Sequence, residues 1–133
     1  MTTSTAQAWE FTPGLPCRLN HDAGQVQIEL TYDPTQPLYS ISLTLDRAWP
    51  QAPRFDMAFG GGAALAIATD RHRLSPDGRT LTVTDQGFGN VLDGLQFNTR
   101  VTAGSGVEIV EFPLIDAAEP VAAFRRCEVP AGA

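Results

Sequence analysis

The residues best suited to chemistry crowd between Thr69 and Asp93, where Asp70, Arg71, His72, Arg73, Asp77, Arg79, Asp85, Asn90 and Asp93 stand close together. Asp70 and His72 are two apart. On a strand such residues share a face, so a carboxylate beside an imidazole could orient a general base. With Asp85 added, the pattern is that of a small hydrolase-like site. The chain has no G-x-S-x-G nucleophile motif, and Ser75 falls in the turn signal Ser75-Pro76-Asp77-Gly78. The plainer reading of Asp70 and His72 is a surface ion pair. Asp70, Asp85 and Asp93 also invite a hard cation, which wants several oxygen ligands. Their wide spacing is unlike the close alternation of a calcium loop and reads as turn and capping carboxylates. No metal is expected.

Gly87-Phe88-Gly89-Asn90 suggests an anion-binding loop at a helix start, with glycines exposing backbone N–H groups. A dinucleotide fingerprint would need glycine where Leu92 stands. The plainer reading is a strand-to-helix turn with positive φ at Gly87 or Gly89. The aromatics Trp9, Phe11, Tyr39, Trp49, Phe55 and Phe59 could line a ligand pocket. Phe55 and Phe59 are in phase with Met57 and read as core. Trp49, before Pro50 in an irregular link, is the candidate for an exposed ligand contact. His21-Asp22 reads as a turn. No P-loop, H-E-x-x-H or zinc pattern occurs. The chain has no lysine, which removes Schiff-base and lysine–phosphate chemistry. No cofactor is implied.

Short strands must position these residues. Val26, Ile28 and Leu30 alternate with polar residues, as do Tyr39, Ile41, Leu43 and Leu45. With the turn Asp33–Pro37 they form an antiparallel hairpin joined by five to seven residues. Further strands are expected at Phe55–Phe59, at Leu65–Thr69, at Thr80–Thr84, around Val107 and Ile109, and near Phe97–Thr102. Phe88, Val91, Leu92 and Leu95 mark one helical face, although Gly89 and Gly94 weaken it. A second helix runs from about Ala117 to Arg126, with Asp116 as its cap and Glu119 completing a capping box. The expected fold is mainly β, an antiparallel sandwich or partly open barrel of six to eight short strands with one or two short helices.

The 133 residues suit one domain, spanning 9–133 after a tag or signal-peptide remnant at 1–8. A 43% hydrophobic share supports a core, and the charge of −6 is the opposite of a nucleic-acid footprint. No apolar run is long enough to span a bilayer. Ala6-Gln7-Ala8 has the small-x-small form of an export cleavage site, without a basic or apolar segment before it. Cys17 and Cys127 lack metal spacing. In an exported chain they most simply pair; in a cytosolic one they would be two buried thiols.

The chain from Trp9-Glu10-Phe11 and Pro16-Cys17, through Thr69–Ser75, Leu81–Asp85 and Gly87–Leu95, to Phe124-Arg125-Arg126-Cys127 resembles a group of short exported bacterial proteins of unassigned function. Some of these carry an excision-repair nuclease subunit name. The ATP-binding lysine loop that the name implies is absent here. In architecture the chain is distantly similar to the invasion-associated locus B proteins, small periplasmic β-rich domains with cysteines and a short helix near the C-terminus. Neither resemblance supplies a catalytic residue. The expectation is a monomeric, non-enzymatic periplasmic or secreted domain that binds a protein partner or small ligand. The alternatives are the hydrolase around Asp70, His72 and Asp85, and a carrier holding a hydrophobic ligand between its sheets.

Overall fold

The computed structural model describes residues 9–127, so the expectation for residues 1–8 lies outside the described residues. Two antiparallel sheets face each other. The first has six strands: β1 (Glu10–Thr12), β2 (Cys17–Asp22), β3 (Val26–Asp33), β4 (Leu38–Leu45), β8 (Thr80–Asp85) and β7 (Arg73–Leu74), in that spatial order. The second has four: β10 (Glu108–Pro113), β9 (Arg100–Ser105), β5 (Phe55–Gly60) and β6 (Leu65–Thr69). The architecture is a β-sandwich with two helices, α1 (Gly89–Gln96) and α2 (Ala118–Arg125).

Period-two patterning sets the register. Ile28 lies opposite Leu43, and Leu43 opposite Leu81, so three strands turn one apolar row inward. Their other face is lined with cross-strand hydroxyl pairs, Ser42–Thr82 and Thr44–Thr80, each at 2.9 Å. In the second sheet Phe55, Met57 and Phe59 point inward, as their phase predicts, and all are buried. Each fully buried side chain of this size contributes about 1.5–3 kcal/mol, and the facing rows make one continuous core.

Several boundaries differ from expectation. Among the described residues ten strands replace six to eight because β1 and β7, of three and two residues, are too short to show a period. The hairpin connection between β3 and β4 is only residues 34–37. His21 and Asp22 end strand β2 rather than making a turn, and His21 is buried with its ring stacked on Trp9 at 4.6 Å. In β10 it is Val110 and Phe112 that face the core, while Val107 and Ile109 are exposed; the turn at Gly106 shifts the phase by one.

Both helices form where their apolar spacing places them. Gly94 supports α1 rather than weakening it: a Cβ there would lie 2.5 Å from the Phe59 ring, so its absence lets the helix rest on β5. Asp116 does not cap α2. It adopts a left-handed conformation (φ 58°), the cap position is Ala117, and no side chain closes the helix start. Pro120 in the first turn sacrifices no helical hydrogen bond. Cys127 follows this helix and is bonded to Cys17 of β2, joining residues 110 apart.

Candidate functional site

Four residues singled out from sequence meet in one place. Asp85, at the end of β8, and Gly87, Gly89 and Asn90, at the start of α1, line a cleft of about 290 Å3 between β6 and β8. Phe55, Ile67, Val83, Phe88 and Val91 supply its apolar walls, drawn from both sheets and the helix. At the rim Arg71 reaches across from the end of β6 to Asp85, 3.2 Å away. The ion pair is open to solvent on both sides, so it marks the mouth rather than stabilising the fold.

The glycines work differently from the expectation. Neither Gly87 nor Gly89 has positive φ, and a Cβ on either would meet nothing within 4 Å. They leave the mouth unobstructed. The start of α1 has no capping side chain and no acidic residue in its first turn, so no side chain of the helix start answers its first N–H groups.

The other candidates disperse. The strand ends at Thr69, so Asp70 and His72 do not share a strand face. His72 Nε2 lies 3.0 Å from the Ala52 carbonyl, and its ring packs at a tilt on Phe55. No carboxylate among the described residues hydrogen-bonds to it, and Nδ1 has no partner there. Asp70 lines a separate open depression with Pro53, Arg54 and Ala68. Asp93 pairs with Arg125 on α2 at 2.8 Å. The described residues hold no group of three or more His, Cys, Asp and Glu side chains placed for a metal ion. Asp77 serves its turn: the Ser75 hydroxyl and then the Arg79 N–H hold its carboxyl below the usual range.

Trp49 is not an exposed contact. It is 2% exposed, its Nε1 donates to the Leu43 carbonyl at 3.1 Å, and it meets Phe55 edge-on. Beside Pro50 the link has no regular structure, but it is fixed by the Trp49 N–H on the Gly78 carbonyl at 2.8 Å.

A wider trough of about 510 Å3 lies across the outer face of the first sheet, lined by residues such as Glu10, Asn20, Glu29 and Ser42. Its polar groups satisfy one another: Asn20 donates to Glu29 at 3.1 Å, and Arg18 pairs with the same carboxylate at 3.3 Å. The smaller cleft is the stronger candidate because its apolar walls are only half covered, Ile67 and Val83 both being partly buried. Sequence pattern assigned Ile67, Val83 and Phe88 to strand and helix faces. It carried no signal that these faces would meet at a rim.

No helix among the described residues is long and apolar enough to cross a membrane. Compared with known proteins, the chain matches no family model, no curated protein and no solved structure.

Proposed function

We propose that this chain is a non-enzymatic binding domain of the periplasm or extracellular space, and that it binds through the cleft between β6, β8 and α1. The observation that carries this reading is the cleft itself: apolar walls from β5, β6, β8 and α1 under a polar rim of Arg71, Asp85 and Asn90. At about 290 Å3 it lies at the lower end of small-molecule sites, which span roughly 300–1,000 Å3. That size suits one side chain or a compact ligand rather than a whole lipid. The hydrophobic-carrier alternative thereby narrows to the same rim.

The Cys17–Cys127 bond supports an oxidising compartment. The resemblance of Trp9–Cys127 to short exported bacterial proteins points the same way. His72 has its Nε2 on a backbone carbonyl, and among the described residues no carboxylate hydrogen-bonds to it, which gives the hydrolase reading no base–orienter pair there.

The test is titration of the isotopically labelled chain with the apolar dye anilinonaphthalene sulfonate, followed by NMR. Shifts should centre on Ile67, Val83, Phe88 and Val91. Ile67→Lys, on the half-buried cleft wall, should block them without unfolding the domain, and His72→Ala should leave them unchanged. Shifts scattered over the surface, indifferent to Ile67→Lys, would sink the proposal.

A further inference from the structure

The sandwich has four sheet edges among the described residues, and three are blunted. β1 has three residues and β7 has two. β10 carries Glu108, Glu111 and Pro113, and the Gln25 side chain already occupies the Glu111 carbonyl at 3.3 Å. Short length, charge and proline are the usual protections of an edge. The fourth edge, β6, has none of them. Its five residues, Leu65-Ala66-Ile67-Ala68-Thr69, hold no charge and no proline. Their N–H and C=O groups on the side away from β5 enter no sheet ladder.

The count of strands agrees. Six strands in one sheet face four in the other. β6 shares its cleft with β8, and the apolar residues left partly buried include Leu65 and Ile67 on β6, Leu74 on β7 and Val83 on β8. A strand laid beside β6 would extend the smaller sheet toward the uncovered part of the larger one. Alternate side chains of that strand would point inward, toward the cleft.

We infer that β6 is a strand-addition site, and that the occupant of the cleft is an apolar side chain of an extended polypeptide segment from a partner protein. This rests on the cleft being the binding site and names what fills it. The chemistry of the segment follows from the edge. It pairs main chain to main chain with Leu65–Thr69, carries no charge over the paired stretch, and turns one residue of about valine or leucine size inward. A second copy of this chain is the poorer occupant, because each copy brings a net charge of −6.

The experiment uses the full labelled chain and a seven-residue peptide of alternating threonine with valine or leucine, blocked at both ends. Two analogues accompany it, one N-methylated at the apolar positions and one at the threonines. Only alternate residues of a strand donate toward a given neighbour. One analogue should therefore lose about tenfold or more in affinity while the other matches the parent. Amide exchange should slow within Leu65–Thr69 when the peptide is added. If both analogues bind like the parent, with shifts confined to Val83 and Phe88, strand addition is overturned and the cleft reading stands. If neither the peptide nor the apolar dye moves Val83 or Phe88, both readings fall. Protection of β6 that rises with protein concentration alone, together with a doubled mass, overturns the partner segment in favour of a second copy.

Discussion

The two seams of this sandwich are built to opposite specifications. Along the seam where β1, β2 and β10 meet, everything is closed. Trp9 stacks on His21 and leans on Phe112 at 6.3 Å. α2 packs on β1 and β2, burying Val121 and Phe124, and the disulfide locks its end to β2. Along the seam of β6, β7 and β8 there is no such closure. Apolar residues are only partly covered, one exposed ion pair spans the gap, and the edge strand is bare. Had both seams been closed, the domain would read as a frame with no site. The contrast sets a closed, supporting side against the open side on which the proposed binding rests.

The largest expected effect comes from opening the closed seam. Replacing both cysteines by alanine frees a loop whose ends are 110 residues apart. Chain entropy puts the loss at about 4–5 kcal/mol, read as a large fall in the urea midpoint. An unchanged midpoint would mean that the closed seam holds without its bond. Next is Gly94→Ala, on the face of α1 that rests on β5. The new methyl would collide with the Phe59 ring, and overpacking of this kind costs about 1–3 kcal/mol. A stabilised variant, as expected for alanine in an unconstrained helix, would show that the close approach is not needed. Ile67→Lys on the open seam should be milder, about 1 kcal/mol or less, since a half-buried lysine can lift its charge into solvent. It should nevertheless remove dye binding at Val83, and dye binding that survives would separate β6 from the cleft.

Much of the frame was legible in the residues and little of the site was. Val26, Ile28 and Leu30, or Phe55, Met57 and Phe59, repeat often enough that period two outweighs any alternative, so strand and inward face follow together. Phe88, Val91, Leu92 and Leu95 did the same for α1 in spite of two glycines, because Gly94 answers a contact with Phe59 that lies far away in sequence. Gly87, Gly89 and Asn90, which suggest an anion loop, share a cleft with Asp85, which suggests a cation or acid–base cluster, but part of its apolar wall comes from Phe55 and Ile67, on the other sheet. Asp70 and His72 failed for a local reason: the strand stops at Thr69, and the two-residue phase on which their pairing depended stops with it. Trp49 and His21 were misplaced because burial of a polar aromatic depends on a partner that lies outside the local pattern, here the Leu43 carbonyl and the Trp9 ring.

The smallest effects separate two ion pairs that each bridge the sheets, one at each seam. Arg47, beyond the end of β4, grips Glu108 of β10 through two nitrogens, at 3.0 and 2.6 Å. Chiefly through that hydrogen bonding, the Glu108 carboxyl is held below its ordinary value of 4.5 and the Arg47 guanidinium is pushed up. Arg71 meets Asp85 through one contact at 3.2 Å, in solvent. A depressed carboxyl favours the folded state above its unfolded pKa, and that contribution fades as pH falls through the lower folded value. Glu108→Gln should therefore lower the urea midpoint slightly at pH 7. The gap from the parent should close as the pH drops below 4.5, since protonation then removes the same charge from the parent. Asp85→Asn should leave the midpoint at pH 7 where it was, because the open seam stabilises little that a single exposed contact could disturb. A midpoint loss for Asp85→Asn equal to that for Glu108→Gln would mean that Arg71 closes the cleft at rest, and that the two seams differ less than their packing implies.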